Sequence, residues 1–78
     1  MIKYYLVKAD TRDGEVEYSN VSTLKRDLPE NEEIEAEEVR EFAKEWFGFG
    51  KGATQEVRLR SYVEITKTDY EVLNKHGI

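Results

Sequence analysis

Carboxylates are the side chains of this sequence that could most clearly take part in binding. Residues 30–45 contain eight glutamates against two basic residues, Arg40 and Lys44, so this acidic window has a formal charge of −6. The remaining residues sum to +1, within a total of −5. Because affinity for nucleic acid comes from lysine and arginine, this balance disfavours direct nucleic-acid binding and favours a basic protein surface as partner.

Four of these glutamates recur at every fourth position and would form one row along a helix and its N-terminal approach, about 6 Å apart per step. Like charges at this spacing are mildly destabilising, and pairing of Glu37 with Arg40 and of Glu41 with Lys44 would offset the repulsion only in part. The row could serve a basic partner, mimicry of DNA phosphates, divalent cations or solvation alone. The predicted partner surface consists of this row and two neighbouring glutamates: Glu33, Glu37, Glu41 and Glu45, with Glu30 and Glu38.

No set of residues has the arrangement of a catalytic site. The single histidine, His76, falls in the last turn of a short predicted helix, where a cation suits the helix dipole. Ser19, Ser22 and Ser61 fall in or beside predicted strands, without a neighbouring base. A straight helix also lacks the turn geometry and mixed oxygen ligands of calcium loops. The sequence therefore predicts a protein that is not an enzyme and has no metal site and no cofactor.

Three glycines, Gly48, Gly50 and Gly52, together with Lys51, superficially resemble a phosphate-binding loop. A phosphate-binding loop follows a strand and opens a helix, so that amides at the helix N-terminus face the phosphate. The order here is inverted, because a predicted helix precedes the glycines and a strand follows them. We therefore predict a helix end and a flexible connection.

The tyrosines offer a second superficial binding signal. Tyr4, Tyr5, Tyr18 and Tyr62 could stack on single-stranded nucleic acid, but such platforms lie in positively charged grooves. Tyrosine is also an ordinary residue of β-strands. We therefore predict structural roles for these side chains.

The elements that would position these residues begin with three strands. A sequence of Asp13 and Gly14 is a strong hairpin signal between the first two strands. A two-residue turn there would set Asp10 opposite Glu17, and a four-residue loop would set Lys8 opposite Glu17, so the register stays open. The strands are predicted at residues 2–10, 15–23 and 56–66.

Two helices are predicted from apolar spacing and capping residues. The first starts between Asn31 and Glu35, carries an apolar stripe at helical spacing, and ends at Gly48. The second opens at a capping sequence that begins with Thr66, and this helix ends at Gly77. The glutamates of the acidic window then fall on the first helix and its approach.

The predicted fold is α+β, with element order β-β-α-β-α. A right-handed crossover from the second strand to the third places the first strand in the middle, giving sheet order 2-1-3 with the main helix on one face. Residues 24–31 are predicted to be a connection, because Pro29 excludes a regular strand. The predicted core consists of Leu6, Val39, Phe42, Ala43, Trp46, Val57, Leu59 and Val63.

Length and composition limit the class of protein. Residues 1–78 are expected to form a single small α/β domain, with little material for a deep substrate cleft. The chain has no cysteine, which fits a reducing compartment. It has no apolar run of the roughly 20 residues that a membrane span needs, and no signal-peptide pattern. We therefore expect a soluble cytoplasmic protein without membrane contact.

The layout resembles that of small proteins of bacteriophages and other mobile elements. The resemblance lies in an opening strand at residues 1–7, a hairpin at 11–15 and an acidic helix at 37–43. Some such proteins, including anti-CRISPR proteins, block host defence complexes by covering nucleic-acid-binding surfaces. The resemblance implies an inhibitor or adaptor. It rests on layout and contains no motif that assigns a functional residue.

The sequence supports two functional hypotheses of different classes. The leading one is a non-enzymatic protein-binding module, in particular a phage-derived inhibitor that presents the acidic helix to a basic surface. The alternative is a self-associating structural domain that pairs through an exposed edge strand, the oligomeric state being left open. Salt separates the two, because binding through glutamates weakens as ionic strength rises.

Overall fold

A computed structural model of the chain describes residues 1–48 and 55–78. The three strands form one antiparallel sheet in the order β2-β1-β3, so β1 pairs with both other strands. This confirms the predicted α+β class, element order and sheet order. The glycine-loop prediction at Gly50, Lys51 and Gly52 lies outside the described residues. The elements are β1 (Ile2–Asp13), β2 (Val16–Asp27), α1 (Ala36–Phe47), β3 (Gln55–Ile65) and α2 (Lys67–Lys75).

The turn between β1 and β2 is formed by Gly14 and Glu15, one position later than the hairpin signal suggested. Gly14 has φ +63°, whereas every described non-glycine residue has a negative φ, so Asp13 stays in the strand. A glycine with positive φ followed by a residue with negative φ fits a type II′ turn. The resulting register sets Arg12 opposite Glu17, a favourable pair of opposite charges that neither predicted register contained.

β2 extends further than the sequence indicated, to Asp27. Leu24 lies opposite Tyr5 of β1 and is buried, so the prediction that 24–31 is entirely a connection is wrong. The charged residues after Leu24 obscured the strand because they lie at the sheet edge, where charge is tolerated. Pro29 lies beyond the strand, as expected.

The core lies between the sheet and α1, on the side that we call the α1 face. α1 contributes Val39, Ala43 and Phe47. Leu6, which was predicted for this core, instead lies on the opposite side and is only half-buried. Both sets of alternate positions in β1 are largely apolar, so the pattern did not reveal which set faces the longer helix. The buried set is Lys3, Tyr5, Val7, Ala9 and Thr11.

A bulge in β3 changes which of its residues face α1. The register between β1 and β3 shifts between Lys8 and Ala9, which leaves Arg60 as the extra residue. Leu59 therefore packs against the core, whereas Val63, beyond the bulge, points to the other side and is 57% exposed. The prediction of Val63 in the core is wrong, because a bulge reverses the alternation that the prediction assumed.

α1 runs alongside β1 in the same direction. At its start, the Ile34 N–H donates a hydrogen bond to the Tyr5 hydroxyl at 3.3 Å. At its end, the Thr11 hydroxyl donates to the Phe47 carbonyl at 3.4 Å and so satisfies one of the carbonyls that a helix terminus leaves unpaired. The helix ends at Gly48, as predicted.

One flank of α1 faces β2. Glu38 forms an ion pair with Arg26 of β2 at 3.5 Å, and Phe42 and Trp46 follow Glu38 at four-residue intervals on the same strip. Phe42 is half-buried, and Trp46 stacks on it at 6.0 Å between ring centroids but is 62% exposed. The prediction of Trp46 in the core is wrong, because Trp46 lies beside the buried residues of the helix and is not one of them.

α2 covers part of the other side of the sheet, which we call the α2 face. The rings of Tyr4 and Tyr70 meet at 4.7 Å between centroids, and the Thr23 hydroxyl donates to the Asn74 side-chain oxygen at 2.8 Å. None of the nine residues of α2 is buried. The α2 face is therefore only thinly covered.

Both ends of α2 have the capping interactions that its sequence predicts. The Thr66 hydroxyl accepts a hydrogen bond from the Asp69 N–H at 3.0 Å. Gly77 has φ +85°, and the Ile78 N–H donates to the Leu73 carbonyl, which is the pattern of a Schellman motif.

Candidate functional site

Two residues of β1 hold the acidic window against the sheet. Lys3 is buried on the α1 face, where its ammonium group donates to the Glu32 carbonyl and lies 3.5 Å from the Glu33 carboxylate. The Tyr5 hydroxyl donates to the Glu33 carboxylate at 3.1 Å and accepts from the Ile34 N–H. Because buried polar groups are nearly always hydrogen-bonded, these contacts fix the segment that precedes α1.

The environment of Tyr5 keeps its hydroxyl protonated. Burial raises the pKa of the phenol above its ordinary value of 10.0, and the neighbouring Glu33 carboxylate raises it further, while the hydrogen bond from Ile34 opposes the shift. A phenol in this state is a hydrogen-bond donor at neutral pH. Its role in this arrangement is to position the glutamate segment.

Six glutamates surround a groove at the start of α1, which we call the acidic groove. The groove has a volume of about 410 Å³, and its lining includes the half-buried Leu28, which also packs against the core. Three of the glutamates precede the helix and three belong to its first two turns, where the helix dipole favours negative charge. They are Glu32, Glu33 and Glu35, then Glu37, Glu38 and Glu41.

Half of this negative charge is compensated within the protein. Glu33 pairs with Lys3 at 3.5 Å, Glu37 with Arg40 at 3.2 Å and Glu38 with Arg26 at 3.5 Å. The second predicted helical pair, between Glu41 and Lys44, does not form. Among the described residues, the other three glutamates of the groove form no ion pair: Glu32, Glu35 and Glu41.

The structure brings together some, but not all, of the predicted partner residues. Glu33, the first member of the predicted row, precedes the helix, which begins at Ala36. The row is therefore helical only from Glu37 onward. Two predicted residues, Glu30 and Glu45, do not line the groove. Those that do are Glu33, Glu37, Glu38 and Glu41.

Sequence reasoning missed three lining residues. Glu32 is placed by a turn in which its N–H donates to the Pro29 carbonyl at 3.0 Å, and the row at four-residue spacing skipped it. Glu35 is the N-cap residue of α1, but its side chain makes no capping hydrogen bond. The helix dipole favours glutamates just before a helix, so their position before the predicted helix could have indicated both residues. Leu28 had no such signal, because its segment was predicted to be a plain connection.

The other candidate groups do not assemble into a second site. His76 is exposed at the C-terminal cap of α2. The Ser22 hydroxyl is buried and donates to the Thr23 carbonyl. In residues 1–48 and 55–78, no group of three or more acidic or histidine side chains is arranged to hold a metal ion. In these same ranges, neither helix has the length and apolar character required to cross a membrane.

Comparison of the chain with protein-family models, with curated proteins and with solved structures finds no match. The acidic groove is therefore the feature of the described residues that bears most directly on function.

Proposed function

We propose that this protein is a non-enzymatic binding module whose acidic groove receives a basic surface of a partner protein. The observation that carries the proposal is the combination of three uncompensated carboxylates with one half-exposed apolar side chain, Leu28, in a single concave surface. Complementary charge speeds encounter and fixes orientation, and burial of an apolar group adds affinity.

The groove also defines the chemistry of a complementary partner. Such a partner carries lysine or arginine side chains at positions that reach Glu32, Glu35 and Glu41, around one apolar side chain that covers Leu28. The internal cations at Lys3, Arg26 and Arg40 lie beside their own glutamates and leave this part of the groove to the partner. Arginine suits such a site because its planar head pairs with carboxylates through two hydrogen bonds.

A partner that normally binds nucleic acid fits this description best. Carboxylates and phosphates attract the same lysine and arginine side chains, so a protein with an acidic groove can occupy a surface built for nucleic acid. The resemblance in layout to small phage and mobile-element proteins supports an inhibitor of a host defence complex. Solvation of the helix is the competing explanation, and it predicts no groove-specific binding.

The proposal can be tested with a defined probe. A synthetic peptide of lysines and arginines around one central leucine is titrated into isotope-labelled protein, and the amide shifts and affinity are measured at low and high salt. We expect the largest shifts around Leu28 and at the start of α1, and weaker binding at high salt. The groove variant Glu35→Gln/Glu41→Gln, which removes two of the unpaired carboxylates, should bind more weakly, mainly through slower association.

The matched control is Glu15→Gln/Glu71→Gln, which removes the same charge from the hairpin turn and from α2. It should bind the peptide as the parent does. Equal weakening in both double variants would show that only net charge matters, and equal affinity of the parent and the groove variant would exclude the groove as the site. The groove variant should remain folded, because both substituted side chains are exposed.

A further inference from the structure

The two edges of the sheet differ in how well they are protected against pairing with another chain. β3 carries a bulge, which is one of the devices that interrupt an exposed edge. β2 has no bulge, contains no proline and keeps continuous register with β1 along its twelve residues. Within the described ranges, no strand pairs with its outer side. β2 is therefore the edge that can accept another strand.

The hairpin geometry shows which backbone groups of β2 are free. The residues that flank a two-residue turn, Asp13 and Val16, form a hydrogen-bonded pair, and such pairs alternate along an antiparallel ladder. Even-numbered residues of β2 therefore bond to β1, and the backbone groups of odd-numbered residues point outward. Most of these odd-numbered side chains are exposed: Glu17, Ser19, Val21, Lys25 and Asp27.

We propose that β2 pairs with β2 of a second copy of this chain, antiparallel, about a two-fold axis that passes between the two Val21 residues. This pairing gives a continuous six-stranded sheet with both α1 helices on the same side. The surface is separate from the acidic groove, so the inference does not depend on the proposed function.

Charge selects this register. Residues that lie directly opposite each other in a ladder have their side chains on the same face of the sheet. If the α1 faces of the two copies are to form one continuous face, odd-numbered residues of β2 must lie opposite odd-numbered residues of the second copy. Two such registers use eleven residues of each strand. One sets Glu17 against Asp27 of the second copy, which is repulsive, and the other sets Glu17 against Lys25 of the second copy, which is attractive.

Exposed apolar side chains gain contacts in the same register. Val21 is 43% exposed and would meet its own copy at the axis. Tyr18 is 54% exposed on the α1 face and would lie opposite Leu24 of the second copy. α2 touches β2 from the α2 face at Thr23, which leaves the outer edge open. The second copy thus covers two apolar side chains that the single chain leaves in water.

The first test exchanges the charges of the proposed cross-strand pair. Glu17→Lys alone sets lysine against Lys25 at both ends of the dimer, and Lys25→Glu alone sets glutamate against Glu17. We expect each variant to dimerise about tenfold more weakly than the parent in sedimentation velocity experiments. An equimolar mixture of the two variants should form a heterodimer as tight as the parent dimer, because both of its pairs are again opposite in charge.

The second test locates the axis by cysteine cross-linking, using the absence of cysteine in the chain. Val21→Cys should form a disulfide-linked dimer under mild oxidation, since directly opposite Cα atoms lie about 5.5 Å apart. Ser19→Cys and Thr23→Cys should not cross-link alone but should cross-link with each other in a mixture.

Each outcome bears on the proposal. A parent that stays monomeric up to millimolar concentration would overturn it, as would a mixture of the two charge variants that remains as weakly associated as either variant alone. Cross-linking of Ser19→Cys with itself would show a different register. Amide spectra of the variants, compared with the parent, separate weaker association from loss of the fold.

Discussion

The two faces of the sheet both carry apolar residues in the first half of β1, but they differ in how much of them a helix covers. On the α1 face, alternate residues of β1 are buried under a twelve-residue helix that contributes Val39, Ala43 and Phe47. On the α2 face, no residue of β1 is buried, and the nine-residue α2 contributes half-buried side chains such as Tyr70. The core therefore forms on the face that the helix with the longer apolar stripe covers.

The polar residues of the two faces follow the same division. On the α1 face, Lys3, Tyr5 and Thr11 are buried and each has a hydrogen-bond partner at an end of α1 or in the segment before it. On the α2 face, Asp10 and Arg60 form an ion pair at 2.9 Å with the arginine largely exposed. Buried polar contacts specify position, whereas exposed ion pairs add little stability.

The largest expected effect comes from adjacent tyrosines on opposite faces. Tyr5→Ala should lower the free energy of unfolding by about 3–5 kcal/mol, because the side chain is 1% exposed and its loss leaves a cavity. Tyr4→Ala should cost about 1–2 kcal/mol, mainly its contact with Tyr70. Urea unfolding of both variants measures the difference, and equal costs would contradict the division into a core face and a thinly covered face.

Removing only the hydroxyl of Tyr5 should cost about 1–3 kcal/mol at neutral pH, because the Ile34 N–H and the Glu33 carboxylate lose a buried partner. The parent should also lose stability as pH rises above 10 because the Tyr5 hydroxyl can ionise, whereas Tyr5→Phe has no hydroxyl at this position. The pKa of this phenol is raised in the folded state, so the unfolded chain releases the proton first and deprotonation favours unfolding.

Unfolding measured across the alkaline range checks this linkage. The stability difference between the parent and Tyr5→Phe should shrink as pH rises above 10, because the parent alone loses the contribution of Tyr5. Tyr4→Phe is the matched control, since its ring lies on the thinly covered face. A constant difference between the parent and Tyr5→Phe across the alkaline range would show that the hydroxyl is not held in its protonated form by the fold.

Much of the fold follows from sequence because its signals are local or topological. The capping residue Thr66, the end of α1 at Gly48 and the sheet order 2-1-3 were all predicted correctly. The errors arise where one residue changes the phase of a strand. The turn at Gly14 moved the hairpin by one position, and the bulge at Arg60 turned Val63 away from the core. Neither shift has a signature in the apolar pattern.

The terminal glycines of the two helices should respond differently to substitution. A Cβ on Gly48 would lie 2.4 Å from the Lys44 carbonyl oxygen, so Gly48→Ala should cost about 1–2 kcal/mol through crowding. Gly77 has open space around it but φ +85°, so Gly77→Ala should cost about 1 kcal/mol through its backbone conformation. Thermal unfolding measures both costs.

Asparagine distinguishes the two causes, because it tolerates positive φ but is larger than alanine. Gly77→Asn should be milder than Gly77→Ala, whereas Gly48→Asn should be at least as costly as Gly48→Ala. If alanine and asparagine ranked in the same order of cost at both positions, a single cause, either crowding or backbone conformation, would explain both glycines.

The acidic groove was predictable in part. Four of its glutamates were identified because charge density is visible in a sequence, but the sequence left the helix start open between Asn31 and Glu35, and in the structure Glu33 lies in the approach before the helix. That approach is fixed by Lys3 and Tyr5 from a strand almost thirty positions away, as in the contact of Lys3 with the Glu32 carbonyl. Long-range contacts of this kind leave no pattern in the local sequence, and Leu28 was missed for the same reason.

The smallest expected effect is at the flank of α1 that faces β2. Trp46 is 62% exposed and its recorded ring contact is the stack on Phe42, so Trp46→Ala should lower the free energy of unfolding by only about 0.5–1 kcal/mol. A buried tryptophan in the same helix would cost about 3–5 kcal/mol. Trp46 is the single tryptophan of the chain, so its fluorescence also reports directly on this position. We expect emission close to that of tryptophan in water and ready quenching by iodide, with little change on unfolding. A cost above about 3 kcal/mol, or emission shifted far to the blue in the native protein, would place Trp46 in the core and contradict the exposed position of this flank.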